Sequence, residues 1–304
     1  MKFERGTLWR RIVEVSDRGL REGTLLPIPT EQVFVEEGGV RFAVRVLSGL
    51  RRKAEERKRQ DADEAVGKTV NPFLPYDRDL FVAEVSDTHV ALLNKFNVVK
   101  HHLLVVTLQY EDQEALLTGA DFLAFWRCMV EYQCLGFYNG GREAGASQSH
   151  KHLQVVPLPL ADEGPDVPVA PLLPAAVTVP DGIGAVPDFH FRHAFVRLDP
   201  GITASPERAA EETFGLYGRM LRRLGMRPPE EGTGVRQSGP YCLLVTRTWM
   251  LLVPRSREHF EDVSLNSLAF AGSFFVTSEE QLERIRAHGP LSVLMSVTVA
   301  EGGT

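Results

Sequence analysis

Two spacings of hydrophobic positions run through this chain, and the switches between them mark out its elements. Residues 7–21 carry Leu8, Ile12, Val13, Val15 and Leu20 among charges, the spacing of an amphipathic helix. Two β-branched runs, 32–36 and 40–47, flank Glu37-Gly38-Gly39 and predict a hairpin. The stretches 80–85, 88–93 and 103–107 are strand-like, separated by Ser86-Asp87 and by the turn-rich 94–102. Residues 121–135, with Phe122, Phe125, Trp126, Met129, Val130 and Leu135, have helical spacing behind an aspartate, and Gly136 closes them. Further on, 188–198 reads as strand and 206–224 as a helix with Phe214, Leu216, Tyr217, Met220, Leu221 and Leu224 inward. The runs 241–246 and 249–253 form a second hairpin-like pair. A helix over 278–288 has Ser278 as its cap and Gly289 as its stop, and 291–299 gives a last strand. Strands and helices mix without strict alternation, which predicts an α+β chain with a mainly antiparallel sheet and flanking helices.

Some stretches show neither period. Residues 51–68 are dense in Lys, Arg, Glu and Asp and read as a solvated loop. Asn71-Pro-Phe-Leu-Pro75 reads as a rigid extended segment, because each proline restrains itself and its predecessor. Residues 160–187 hold Pro165, Pro168, Pro171, Pro174 and Pro180 and read as a long crossing loop. Residues 227–239, with two prolines and three glycines, form another loop.

Composition narrows the function classes. A chain of 304 residues can bury a substantial core. Its formal charge is −6, with 34 basic residues dispersed among 40 acidic ones, which argues against a general nucleic-acid binder. A small polyanion remains open, since a few placed donors suffice for a phosphate chain. No apolar run reaches the roughly 18 residues of a membrane span, and the start lacks the apolar core of a signal peptide. Cys128, Cys134 and Cys242 form no Cys-x-x-Cys pair, and the odd count suits a reducing cytoplasm, where they serve as small apolar side chains.

The chemistry concentrates between Asn139 and Gln154, read Asn-Gly-Gly-Arg-Glu-Ala-Gly-Ala-Ser-Gln-Ser-His-Lys-His-Leu-Gln. In a strand, residues two apart share a face at about 6 to 7 Å. His150, His152 and Gln154 then line one face, with Lys151 and Leu153 on the other. A neutral imidazole is a good nucleophile near neutral pH without a separate base. His-x-His is also a zinc pattern, but no nearby cysteine or carboxylate completes a site, Glu143 being the nearest; no protein-bound metal is expected.

Asn139, Gly145-Ala-Ser-Gln148 and His150-Lys-His-Leu-Gln154 closely resemble the active-site segment of diadenosine tetraphosphate phosphorylases, or ATP adenylyltransferases. These are histidine-triad proteins of the transferase branch, where glutamine replaces the third histidine. Asn71-Pro-Phe-Leu-Pro75, Leu93-Asn-Lys-Phe-Asn97, Trp249-Met-Leu-Leu-Val-Pro-Arg-Ser-Arg-Glu-His-Phe260 and Phe270-Ala-Gly-Ser273 resemble the same family. The resemblance covers most of the chain from about residue 30 to 298. It implies a histidine-triad-like single body over 1–304, with a core segment of about 25–160, the crossing loop, and a segment of about 188–304 completing it.

The resemblance also implies a reaction: diadenosine tetraphosphate plus inorganic phosphate gives ATP plus ADP, reversibly, through adenylyl-His152. Gln154 would donate to the α-phosphate, and His150 would orient His152. Lys53, Asn94, Lys95, Asn139, Gly145, Ala146, Ser147, Gln148, Asn266, Ser267 and Leu268 would contact substrate. A divalent cation, Mg, would accompany the nucleotide, and the partners would be small phosphate compounds rather than nucleic acid or membrane. Ser273 and Thr277 depart from the family pattern. Arg255 and Arg257 fit a phosphate tail or a surface role equally. A hexose-1-phosphate nucleotidyltransferase or nucleotide-sugar phosphorylase would use the same histidine. A dinucleoside polyphosphate hydrolase is disfavoured by Gln154, and a non-catalytic nucleotide- or metal-binding protein is the remaining alternative.

Overall fold

The computed structural model describes residues 3–47, 71–178, 182–229 and 235–300. Helix α1 (Leu8–Glu22) leads into the hairpin of β1 (Thr30–Glu37) and β2 (Val40–Leu47). Gly38 and Gly39 make its turn, both at positive φ, where a two-residue connection matches the strand twist.

Ten strands then build one antiparallel sheet. They are β3 (Phe81–Glu84), β4 (His89–Leu93), β5 (Leu103–Thr107), β6 (Cys134–Gly140), β7 (His152–Pro157), β8 (Val177–Thr178), β9 (Gly184–Ala185), β10 (Ala194–Arg197), β11 (Tyr241–Val245) and β12 (Trp249–Pro254). Their order is β3-β4-β5-β7-β6-β11-β12-β10-β9-β8, so strands from both sides of the proline-rich stretch share the sheet. A small ribbon of β13 (His259–Phe260) and β14 (Val263–Ser264) follows, and β15 (Ser273–Val276) pairs with β2 in parallel.

Alternation along the strands divides the core into three parts. Val105, Tyr138, Leu153 and Leu243 point to one face, where α1, α2 (Gly119–Met129) and α3 (Pro206–Arg223) bury Ile12, Phe125, Trp126 and Tyr217 against them. Phe137, Val156, Leu244 and Leu251 point to the other face. There they meet Phe42 and Phe274 of the small sheet, and residues of α4 (Ser267–Phe270), α5 (Glu279–His288) and α6 (Pro290–Ser296). On that second face, Val90, Leu92, Leu104 and Val106 form a separate cluster under Phe73. Gln154 is the cross-strand partner of Leu104 on one side and Phe137 on the other, so it stands where the two clusters part. The functional strand therefore crosses a polar gap between two apolar patches.

Four expectations need correction. Of the strand expected over 188–198, only β10 is strand. Helix α2 stops at Met129, and Leu135 belongs to β6, a strand buried on both faces, whose apolar run continues the helical spacing only by coincidence. The last strand expected over 291–299 is α6: Pro290 occupies its first turn, and Val293, Leu294 and Val297 are buried together at helical spacing. Asn71-Pro-Phe-Leu-Pro75 is a turn rather than an extended segment. The Asn71 side chain accepts the Phe73 N–H at 3.0 Å, and Phe73 bridges to Tyr76. The charged stretch 51–68, with Lys53, lies outside the described residues. Among the described residues, no helix is long and apolar enough to cross a membrane.

Candidate active site

His152 opens β7 and is 4 % exposed. Its Nδ1 lies 2.8 Å from the carbonyl oxygen of His150, which cannot donate, so Nδ1 carries the proton. Nε2 is left with its lone pair and no hydrogen bond to any described residue. Burial is the main influence on the ring and pushes its pKa down to about 4. The Nδ1 hydrogen bond acts upward and the neighbouring His150 downward. The imidazole is therefore neutral, of one tautomer and held in place at neutral pH.

His150 precedes the regular strand and bridges to Asp112. Its Nε2 donates towards the Thr107 carbonyl at 2.9 Å, with the Thr107 hydroxyl at 2.8 Å, and its Nδ1 accepts from Asn71 Nδ2 at 2.9 Å. The Phe73 ring packs on both imidazoles, with centroids 5.6 Å from His150 and 5.4 Å from His152. Burial lowers the pKa of His150 as well, against the upward pull of hydrogen bonds to Thr107 and Gln109. His150 thus acts on His152 through its backbone carbonyl, and its own ring anchors that carbonyl to β5 and the Asn71 turn.

Gln154 follows two residues along the same face, buried, with its carboxamide unpartnered among the described residues. Asn94 borders that side: its Nδ2 is 3.3 Å from His102 Nδ1, and the His102 ring packs on Phe137, the neighbour of Gln154. On the other flank, Asn139 Oδ1 accepts from the Ser267 N–H at 3.0 Å and from its hydroxyl at 2.6 Å, which leaves the Asn139 NH₂ for a ligand. The loop between Asn139 and His150 is pressed against the start of α4. Gly145 has φ +90°, and a Cβ there would stand 2.8 Å from Asn266 Cβ and 3.0 Å from the Leu265 carbonyl oxygen.

Residues 1–175 match the family model described as the Ap4A phosphorylase N-terminal domain, Ap4A being diadenosine tetraphosphate. Residues 187–300 match that of the ATP adenylyltransferase C-terminal domain. The first match alone spans more than half of the chain. This chain belongs to the Ap4A phosphorylase family. Diadenosine 5',5'''-P1,P4-tetraphosphate phosphorylase 2 of Saccharomyces cerevisiae is 26 % identical over 244 residues, 72 % of either chain. Protein APA1 of the same yeast is 25 % identical over 218 residues, 64 % of this chain and 63 % of that one. The crystal structure of yeast Ap4A phosphorylase Apa2 covers 99 % of both chains with a TM-score of 0.75 at 22 % identity, a likeness of fold. Its complex with Ap4A gives 0.76 at 21 % identity.

The site residues expected from the family resemblance are placed differently from one another. His150, His152, Gln154 and Asn139 meet at the polar gap, and Gly145, Asn266 and Asn94 border it. Ser267 and Leu268 do not offer their side chains to a ligand. Ser267 is fully buried and its hydroxyl donates to Asn139 Oδ1, with the Tyr138 carbonyl 3.0 Å away, while Leu268 is packed in the core. The backbone donors of the glycine loop are fewer than expected. The Gly145 and Ala146 amides are closed onto the Arg142 and Gly141 carbonyls, which leaves those of Ser147 and Gln148. Lys95 stands with its ammonium 5.9 Å from the Phe96 ring, and none of its contacts joins it to His152. Asn71, Phe73, Thr107 and Gln113 escaped the sequence reading; only the Asn71-Pro-Phe-Leu-Pro75 motif carried a signal for any of them.

The opposite side of the strand is charged and buried. Lys151, 1 % exposed, pairs with Glu111 at 2.6 Å and Asp121 at 3.3 Å, and His89 Nε2 meets Asp121 at 2.9 Å. Burial alone would raise the Asp121 carboxyl, but the His89 hydrogen bond and the Lys151 charge outweigh it and hold its pKa down. Arg255 has neither of its expected roles. It is 2 % exposed and bonds the carbonyls of Val297, Leu265, Arg257, Glu258 and Ala144, tying the glycine loop to the start of α4. Among the described residues, no group of three or more His, Cys, Asp or Glu side chains is placed to hold a metal.

Proposed function

We propose that the protein catalyses reversible phosphorolysis of Ap4A to ATP and ADP through adenylyl-His152. The observation that carries this reading is the His152 Nε2 lone pair and, two residues along the same face, the Gln154 carboxamide, neither of which has a hydrogen-bond partner among the described residues, on a family-matched frame. In the first step Nε2 attacks the α-phosphorus of one adenosine. The N–P bond forms, the P–O bond to the bridging oxygen breaks, and its electron pair leaves with ATP. The ring becomes cationic, and the Nδ1–H bond to the His150 carbonyl stabilises that charge. In the second step an oxygen of inorganic phosphate attacks the same phosphorus, and ADP leaves as the electron pair returns to Nε2. Gln154 donates to a nonbridging oxygen in both steps, and Asn139 with the Ser147 and Gln148 amides offers donors to the phosphate chain.

A glutamine at position 154 donates a hydrogen bond but carries no proton to or from water. The intermediate is therefore kept for phosphate rather than hydrolysed. A divalent cation arrives with the polyphosphate, whose charge it offsets, and is held there rather than by a protein cluster. No step above depends on it.

Incubation with Ap4A, with and without inorganic phosphate, tests the reading. ATP and ADP in equal amounts, only when phosphate is present, is the expected result. AMP and ATP without phosphate would replace phosphorolysis by hydrolysis.

The depressed pKa of His152 sets a second test. The neutral ring is the reactive form, so activity is present above its pKa and is lost as pH falls through it. In a rapid-quench measurement of His152 adenylylation at subsaturating Ap4A, which has no terminal phosphate to titrate, the second-order rate constant reports the free protein and stays level from neutral pH to about pH 5. It halves near the pKa of about 4. A midpoint near the ordinary 6.5 would mean that the ring is solvated.

A further inference from the structure

β6 and β7 pair from Cys134↔Pro157 to Phe137↔Gln154 and then diverge, although β6 continues to Gly140 and β7 begins at His152. A segment of neither strand enters the fork. The Lys151 N–H donates to the Glu111 carbonyl at 2.7 Å and the Gln113 N–H to the Ser149 carbonyl at 2.7 Å, with Asp112 bridged to His150. At the point of the fork lies the Gln113 carboxamide, 2 % exposed. Its Oε1 accepts the His152 N–H at 2.8 Å, and its Nε2 donates to the Asn139 carbonyl at 2.8 Å and the His152 carbonyl at 3.3 Å. The orientation of this amide is fixed by its partners, since an N–H requires the oxygen and two carbonyls require the NH₂. The Tyr138 hydroxyl, hydrogen-bonded to the Gln113 carbonyl, holds the residue from behind.

We propose that Gln113 is the positioning residue of the nucleophile: its side chain stands in for the missing ladder bonds and fixes the backbones of His152 and Asn139 relative to one another. A normal ladder here would draw β6 and β7 together at the polar gap. The inserted amide holds them apart and still satisfies both N–H and C=O of His152. One carboxamide thereby sets the distance between the attacking ring and the strand carrying the Asn139 donor. The inference rests on adenylyl transfer at His152.

Gln113→Glu has the same shape and separates positioning from bulk. An ionised carboxyl still accepts the His152 N–H but sets an oxygen against two carbonyls; the protonated acid can donate to one of them. Burial among acceptors raises the pKa of such a carboxyl above its ordinary value. The variant should therefore adenylylate His152 more slowly as pH rises from 5 to 8, over a range where the wild type is level. Gln113→Leu should be slower by about 10²-fold at every pH, the scale of a reacting group displaced by an ångström. Nucleotide affinity of both folded variants, measured by calorimetry, should stay near the wild-type value. A wild-type rate in either variant, or a level profile in Gln113→Glu, would overturn the role. If the wild type itself forms no adduct on His152, the proposed function fails and this inference with it; an adduct in the wild type with a level Gln113→Glu profile sinks the inference alone.

Discussion

Replacing His152 with alanine abolishes turnover of Ap4A and leaves nucleotide affinity close to that of the parent. In the proposed mechanism the ring makes and breaks the bond to phosphorus. The neighbouring His150 ring is hydrogen-bonded through both nitrogens to Thr107 and Asn71, and Lys151 is directed to the opposite side, bonded to Glu111 and Asp121. The His152 ring acts in the bond-making step rather than in holding the base, so the loss falls on kcat rather than on affinity. His150→Ala behaves differently. The backbone carbonyl that orients Nδ1 remains, and only its anchorage to Thr107 and Asn71 is lost, so the variant is slowed and retains activity. Quenching a reaction with labelled Ap4A and mapping the label decides the point. The adduct should be acid-labile and base-stable, as a phosphoramidate is, and should lie on His152. A label elsewhere, or full turnover by His152→Ala, would overturn the mechanism.

Gln154→Ala lowers the rate of adenylyl transfer by about 10² to 10³, the usual scale for removing one preorganised donor to developing charge. The carboxamide makes no hydrogen bond within the described structure and stands two residues beyond His152 on one face. Its donor is thus available when the α-phosphate gains negative charge. Removing it leaves His152 neutral and oriented, so the pH midpoint of adenylylation should not move. Rapid-quench rates at several pH values test both statements together. A shift of the midpoint towards 6.5 would mean that Gln154 acts by keeping water from the ring instead.

Much of the frame was legible from local pattern. The α1 stripe has a helical period, the hairpin of β1 and β2 has Gly38-Gly39 at its turn, and β5 and the pair of β11 and β12 are short apolar runs bounded by turn residues. β6 was not legible, because Cys134–Gly140 holds no β-branched residue and its Leu135 extends the apolar spacing of the preceding helix. α6 was misread for a related reason: a short apolar run is compatible with either period, and only Pro290 marks a helix start. In the site, the His-x-His-x-Gln spacing was visible because its members are two residues apart. The supports were not. Gln113 reaches His152 across 39 positions and Ser267 reaches Asn139 across 128, and a glutamine in a loop or a serine in a short helix has no distinguishing pattern. Leu268 was named from the family resemblance alone, and its side chain is packed in the core.

The span from Asn139 to Ser267 also orders events in time. Asn139 has its acceptor oxygen fixed only when Ser267 arrives, and the glycine loop rests on Leu265 and Asn266. A growing chain that has just completed β7 holds the nucleophile and Gln113 but not Ser267 or the segment on which the glycine loop rests. Closing so long a loop is entropically costly and precedes any gain from the contacts it allows, so such pairings form late. The reactive histidine is therefore made early and becomes competent last, and recovery of activity on refolding should trail recovery of sheet structure.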